Sequence, residues 1–290
     1  MTTILDGKKT AAAIREEVAA EVAELTKQQG RAPGLTVILV GEDPGSQVYV
    51  RNKERACAEA GVASVAHRLP ADTAQEELEA LIDALNADDT VDGILLQLPL
   101  PKGLDSQKLL DRIDPDKDVD GFHPMNVGRL ALGLPGFRSC TPAGVIELLG
   151  RYGIDPSGKK AVIVGRSNIV GKPLALLLMQ GGKGGNATVT VCHTRTADLK
   201  KECLDAEILI AAVGVPRMIT GEMIRPGAVV VDVGMNRTEA GLCGDVDFEA
   251  AKEKASAITP VPGGVGLMTI AMLLKNTLRA YKLHQGIETW

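Results

Sequence analysis

From Ala161 to Pro173 the chain reads AVIVGRSNIVGKP, a short β-branched run that breaks into a turn between Gly165 and Gly171 and opens into KPLALLLM. A strand that passes through a glycine turn into a helix start presents free backbone N–H groups, the arrangement that receives a pyrophosphate. The spacing departs from G-x-G-x-x-G: Gly165 and Gly171 stand six apart and Ser167 takes the middle place. Taken alone, the segment is equally a strand-to-helix turn with no ligand. Ser167 lacks the second glycine of a nucleophile elbow, so hydrolase chemistry at this serine is disfavoured.

In a dinucleotide fold an acid about 20 to 30 positions beyond the glycine turn binds the adenosine ribose hydroxyls. Here the next strand-like run ends in Cys192-His193-Thr194-Arg195-Thr196, without an acid. A 2'-phosphate is repelled by a carboxylate and welcomed by Arg166, the Thr194 hydroxyl and Arg195, so the pattern points to NADP rather than NAD; ordinary loop residues are the alternative. Tyr49 and Lys53 are four apart on an expected helix from 46 to 60 and share a face. An exposed pair is the ordinary reading, while a lysine against an apolar pocket loses its proton readily and serves as a base. Gln97 sits among apolar neighbours in GILLQ, where an amide needs a partner, backbone or otherwise.

The segment DPDKDVDGF, residues 114 to 122, imitates the start of a calcium loop with Asp116, Asp118, Asp120 and Gly121. The imitation fails because the twelfth position is Val127 instead of a bidentate glutamate. What remains is a solvated turn, or a carboxylate, Asp120 foremost, that pairs with the amidine-like N–H groups of a ligand. Five cysteines without a C-x-x-C pair argue against both a disulfide framework and a structural zinc, and no metal is expected.

These residues need a scaffold, and the apolar runs supply one. LTVILVG (35–41), SVAHRLP (64–70) and GILLQLPLP (93–101) alternate with amphipathic Ala/Glu-rich segments. A second series follows at 161–165, 188–193, 208–214, 229–234 and 257–264. Short, near-continuous apolar strands alternating with helices predict an α/β fold with parallel sheet covered on both faces. The Gly/Pro-rich, weakly periodic stretch 121–139 marks a junction, giving a first domain of 1–139 plus a returning C-terminal helix (268–290) and a Rossmann-like domain of 140–267.

The 290 residues are long enough for two cores, and 45% hydrophobic with only 2% aromatic residues makes those cores aliphatic. A net charge of -5 without a basic block excludes a nucleic-acid footprint or an anionic membrane surface. The N-terminus lacks the layout of a signal peptide and no apolar run spans a membrane, which predicts a cytoplasmic protein.

Together VYVRNK (48–53), GILLQLPLP (93–101), DPDKDVDGF (114–122), VGRSNIVGKP (164–173) and ITPVPGGVGLMT (258–269) resemble the bifunctional methylenetetrahydrofolate dehydrogenase/methenyltetrahydrofolate cyclohydrolase family, the FolD-type enzymes. The likeness covers nearly the whole chain. It implies NADP-linked oxidation of 5,10-methylenetetrahydrofolate to the methenyl cation and hydrolysis of that cation to 10-formyltetrahydrofolate, within one-carbon metabolism and purine biosynthesis. It further implies that Lys53 is the main catalytic residue, that Tyr49 orients the folate and that Gln97 tunes Lys53. On the same likeness Leu96 and Leu98 would flank the substrate, Asp120 would grip the pterin, and Pro262, Gly263, Gly264, Val265 and Gly266 would form a backbone wall beside it. The resemblance likewise implies that Gly165, Arg166, Ser167, Thr194 and Arg195 hold the cofactor, with Met235 near the nicotinamide, and that the protein is a homodimer. One departure stands out: Leu267 occupies a position where the family usually has proline. The presence of Lys53, Tyr49 and Gln97 counts against two rivals, a dehydrogenase without cyclohydrolase activity and a non-catalytic folate sensor.

Overall fold

The computed structural model describes residues 1–239 and 241–290. In chain order the strands are β1 (Thr3–Ile4), β2 (Gly34–Val40), β3 (Ala63–Leu69), β4 (Gly93–Leu96), β5 (Lys160–Val164), β6 (Thr188–Cys192), β7 (Ile208–Ala211), β8 (Val229–Asp232), β9 (Asn236–Thr238), β10 (Gly241–Cys243) and β11 (Ala257–Ile258). The helices are α1 (Gly7–Gln29), α2 (Pro44–Ala60), α3 (Gln75–Ala87), α4 (Ser106–Arg112), α5 (Pro124–Ala131), α6 (Cys140–Arg151), α7 (Gly171–Met179), α8 (Leu199–Leu204), α9 (Phe248–Lys252) and α10 (Val265–His284). Two compact units result, one of Ala13–Cys140 with Ile270–Trp290, the other of Met1–Ala12 with Thr141–Thr269.

The first unit is built on a parallel sheet in the order β3-β2-β4. All seven residues of central β2 are buried, as its unbroken GLTVILV run requires, whereas edge strand β3 is partly exposed. Ile38 and Val40 of β2 pack with Ile94 and Leu96 of β4 and with Leu78, Ile82 and Leu85, which recur on one face of α3. Helix α2 starts where Asp43 accepts the Ser46 N–H at 2.7 Å and Pro44 supplies a preset φ. It stops at Gly61, whose φ of 73° is the left-handed cap conformation.

In the second unit six parallel strands run in the order β1-β11-β8-β7-β5-β6, with β9 and β10 as a separate antiparallel pair. Val162, Val164, Leu209, Ala211, Val230 and Ile258 form the sheet's share of an aliphatic core. The expected parallel α/β architecture is therefore present. Two features differ from the expectation. Residues 1–12, assigned by sequence to the first domain, belong to the second unit, because Thr3 and Ile4 pair with Ala257 and Ile258. A two-residue edge strand has no periodicity to reveal its sheet. The junction stretch 121–139 also contains α5, capped by His123 Nδ1, which accepts the Met125 N–H at 3.0 Å, and started by Pro124.

Candidate active site

On α2 the buried stripe comprises Ser46, Val50, Lys53, Ala56, Cys57 and Ala60, so Lys53 lies among apolar and small neighbours and is only 8% exposed. Its Nζ donates to Gln97 Oε1 at 2.9 Å. Gln97 follows β4 directly, and its N–H donates to Ile38 O at 2.9 Å, continuing the sheet by one residue. Its Nε2 donates to Leu98 O at 2.7 Å, which leaves the amide oxygen turned to the lysine. Leu96 is buried and Leu98 half-buried on either side of it. Tyr49, one turn before Lys53, is 38% exposed, and partial burial pushes its phenol up. Among the described residues the Ser46 hydroxyl, on the same stripe, is buried without a hydrogen-bond partner.

Asp120 faces the same lysine. Burial pushes its carboxyl up, while the Lys53 charge and a hydrogen bond from the Cys140 thiol work against that shift. Cys140 is itself buried, and desolvation with the nearby Asp120 charge raises its thiol well above the ordinary range. Its single S–H is shared with Val119 O, 3.3 Å from Sγ. The aspartates of the 114–122 segment separate by role. Asp116 pairs with Arg129 at 3.2 Å near the surface. Asp118 is 2% exposed and accepts the N–H groups of Gly121, Phe122 and His123 and the Asn126 amide at 2.8 to 3.2 Å. It therefore organises the turn that carries Asp120. Gly121 has φ 75°, and a Cβ there would lie 2.5 Å from Arg138 C, so the turn passes directly against the 138–139 backbone. No group of three or more His, Cys, Asp or Glu suited to a metal occurs among the described residues.

The glycine turn belongs to the second unit. Gly165 follows β5 with φ 125°, and a Cβ there would overlap Ala212 O; a Cβ on Gly171 would overlap Gly165 O. Both positions exclude side chains, which leaves a backbone cradle at the start of α7. Ser167 Oγ accepts the N–H groups of Val170 at 3.2 Å and Gly171 at 3.4 Å, shaping that start. Arg166, Thr194 and Arg195 are exposed, and neither arginine forms an ion pair among the described residues. After β6 the chain turns tightly, with His193 N–H on Thr196 Oγ1 at 2.9 Å. The next acid, Asp198, is committed to capping α8 through Lys201 N–H at 2.9 Å. The cradle and the acid-free strand end fit a dinucleotide with a 2'-phosphate.

Two buried acids that the sequence reading did not single out hold the neighbouring loops. Asp232 accepts the N–H groups of Gly234, Asp245 and Val246 at 2.9 to 3.0 Å. Asp245 accepts those of Val213 and Gly214 at 2.6 and 2.9 Å and the Asn236 amide at 2.8 Å. They fix the loops after β7 and β8, the second of which carries Met235. A Cβ on Gly266 would lie 2.5 Å from Met235 Cε, so Met235 covers the glycine of the 262–266 wall. Within that wall Pro262 is exposed, Gly264 and Val265 are buried, and Gly263 O accepts the Lys8 N–H at 3.0 Å. The signal for Asp232 and Asp245 was present only as acids beside apolar strand ends, a pattern that does not tell a surface acid from a buried tie.

The catalytic-domain model of tetrahydrofolate dehydrogenase/cyclohydrolase matches residues 5–120, and the NAD(P)-binding-domain model of the same family matches 139–285. The chain is 68% identical over 283 residues to the bifunctional protein FolD of Maridesulfovibrio salexigens, covering 98% of this chain and 99% of that protein. It is 62% identical to that of Moorella thermoacetica, over 96% and 98% of the two chains. Among solved structures, the bifunctional FolD of Campylobacter jejuni superimposes with a TM-score of 0.94 at 50% identity, over 97% of this chain and 99% of that one. The Trypanosoma brucei dehydrogenase-cyclohydrolase, solved with NADP cofactor and inhibitor, gives 0.92 at 39% identity over 99% of both chains. With both halves matched, and an acid-flanked lysine in one and a glycine cradle in the other, the chain belongs to the tetrahydrofolate dehydrogenase/cyclohydrolase family.

Proposed function

We propose that this chain is a bifunctional enzyme of one-carbon folate metabolism: it oxidises 5,10-methylenetetrahydrofolate with NADP and hydrolyses the resulting methenyl cation to 10-formyltetrahydrofolate. The observation that carries this reading is the Lys53–Gln97 hydrogen bond at 2.9 Å with Asp120 in electrostatic reach of the lysine. Membership of the family and the NADP complex of the Trypanosoma brucei relative support the cofactor.

Asp120 grips the pterin, whose 2-amino and ring N–H groups match a carboxylate with two acceptor oxygens. Tyr49 orients the folate, with Leu96 and Leu98 as apolar flanks and Pro262 to Gly266 as backbone wall. Gly165, Arg166, Ser167, Thr194 and Arg195 hold NADP, and Met235 lines its nicotinamide side. Bound NADP supplies a hydride acceptor, so oxidation demands alignment of carbon atoms and no proton transfer from the protein. Hydrolysis differs. Water adds to the methenyl carbon and gives up one proton, which is released, and a carbon–nitrogen bond then opens as the remaining hydroxyl proton passes to the nitrogen and the formyl C=O forms. Lys53, held by the Gln97 oxygen, is the group that moves those protons. The unit of Ala13–Cys140 with Ile270–Trp290 takes the folate and the unit of Met1–Ala12 with Thr141–Thr269 takes NADP. The protein works as a cytoplasmic homodimer, and its product serves formyl transfers such as those of purine biosynthesis. No described helix is long and apolar enough to cross a membrane.

Purified protein supplied with methylenetetrahydrofolate and either NADP or NAD, with reduced cofactor, methenyl and formyl products followed together, tests the whole reading. Reduced NADP and 10-formyl product in step are expected. Accumulation of methenyl product alone leaves a dehydrogenase, and no turnover leaves a binding protein.

A further inference from the structure

Asn276, on α10, is 8% exposed and directs its amide into the first unit. Its Nδ2 donates to Val119 O at 2.8 Å and to Arg138 O at 3.1 Å, and lies 3.6 Å from Cys140 Sγ. These acceptors bracket Asp120. Val119 O belongs to the residue before it. Arg138 O belongs to the backbone against which Gly121 packs, and Cys140 is the thiol that donates to the Asp120 carboxylate. The Cys140 N–H also donates to Asp120 O at 3.3 Å. Two carbonyl oxygens and a sulfur converge on one amide group. Without its N–H groups Arg138 O loses its donor and Val119 O keeps only the Cys140 thiol at 3.3 Å, so nothing bridges the two strands of chain there.

We propose that Asn276 is a positioning residue for the substrate-binding carboxylate: it pins the 118–121 turn to the 138–140 segment, and so sets Asp120 and its thiol partner in register for the pterin. The inference rests on the reading of Asp120 as the carboxylate that grips the substrate. It assigns to Asn276 a part in substrate recognition without any contact to substrate.

Asn276→Leu keeps the volume and removes both N–H groups. It raises the folate KM of both reactions about tenfold, the scale of one or two lost buried hydrogen bonds, and leaves the NADP KM unchanged and kcat within about threefold. Asn276→Asp adds a signature that a packing role does not produce. Ionised, the new carboxyl repels the two carbonyls and has only the Cys140 thiol beside it as a donor; protonated, it regains one O–H. Facing it are Cys140 and, behind the thiol, Asp120, Asp118 and Lys53, with Arg279 one turn along α10. Taking the ratio of variant to wild-type KM at each pH removes their own titrations. That ratio falls as pH drops from 8 to 6 in Asn276→Asp and stays constant in Asn276→Leu. If Asn276→Leu does not fold, the Asn276→Asp ratio decides by itself. A wild-type folate KM in Asn276→Leu, or a ratio flat with pH in Asn276→Asp, overturns the proposal. Asp120→Ala separates the two levels: a normal folate KM there removes the reading of Asp120 and the inference with it, whereas a raised KM beside a silent Asn276 removes the inference alone.

Discussion

Lys53 Nζ and Gln97 Oε1 meet at 2.9 Å across the gap between α2 and the end of β4. The lysine reaches a buried place on its helix, and the glutamine's own N–H and Nε2 are spent on Ile38 O and Leu98 O, so its oxygen is aimed and not free to rotate. A positioned amine of this kind matters most to the step that moves protons. Lys53→Met therefore lowers cyclohydrolase turnover by at least about a hundredfold, the scale of a positioned acid/base, and retains more of the dehydrogenase. Methenyltetrahydrofolate then accumulates when NADP and the methylene substrate are supplied. Separate assays of the two steps on folded variant check this; equal collapse of both makes Lys53 a general positioning residue.

Arg166 is exposed beside the glycine cradle, and the first acid after β6 is occupied at the cap of α8. A charge-assisted bond to the 2'-phosphate is worth roughly 1.5 to 3 kcal/mol. Arg166→Ala thus lowers the NADP over NAD preference by about tenfold or more. Kinetic constants with both cofactors measure it, and a wild-type enzyme that uses the two equally well rejects the assignment.

Leu267 is the third residue of α10, and its N–H reaches Gly264 O only at a long 3.4 Å. First-turn N–H groups of a helix lack helical partners, so proline is tolerated there, and the preceding Gly266 has no Cβ to oppose the ring. Leu267→Pro raises stability by about 0.4 to 1 kcal/mol through a less free unfolded chain. Denaturant midpoints decide; a fall shows that the 3.4 Å contact contributes more than the ring.

Burial pushes Asp118 and Asp232 up to about 6 each despite their hydrogen bonds. An acid whose folded value lies above its unfolded one binds more protons when folded. The cost of its charge is then full above pH 6 and relieved between pH 6 and 4, so these two acids raise stability as pH falls through that window. Asp92 runs the other way. Burial pushes it up, but hydrogen bonds from Arg31, His284 and the Gly34 N–H outweigh this and leave it below the ordinary range. Its contribution is present above the unfolded value and disappears as pH drops below about 4. Denaturant midpoints from pH 8 to 3 are expected to rise slightly or stay level down to about pH 4 and then fall. Asp232→Asn removes its share of the rise, and an unchanged slope between pH 6 and 4 in that variant contradicts the assignment.

The turn that Asp118 holds has a separate test. Asp118→Asn places an N–H pair among four donors that all need an acceptor. A cost of about 2 to 3 kcal/mol follows from the lost and opposed hydrogen bonds. The folate KM rises with it, because Asp120 rides on the same turn. Chemical denaturation and substrate titration of one preparation measure both effects, and a folate KM that stays at the wild-type value while stability drops separates the turn from the site.

What the sequence determined by itself was local. Unbroken apolar runs announced buried parallel strands, because a strand covered on both faces cannot afford polar residues on either. Gly165 and Gly171, with the missing acid after Cys192, pointed to a backbone cradle that suits a dinucleotide with a 2'-phosphate, since close backbone approach and charge sign are properties of the residues themselves. The spacing of Tyr49 and Lys53 placed them on one side of a helix. Tertiary structure decided the rest. Asp116, Asp118 and Asp120 are alike in the chain, and only burial and partners separate a surface ion pair, a turn-holding acid and the carboxylate beside Lys53. Residues 1–12 join a sheet whose other strands begin at residue 160, a pairing with no local period to betray it. Asn276 and Cys140 meet the Asp120 turn from α10 and α6, distant in the chain, and Asp232 with Asp245 ties loops that no spacing relates. Such contacts depend on which buried donors and acceptors the fold brings face to face, and that follows from packing of the whole chain, not from any one segment.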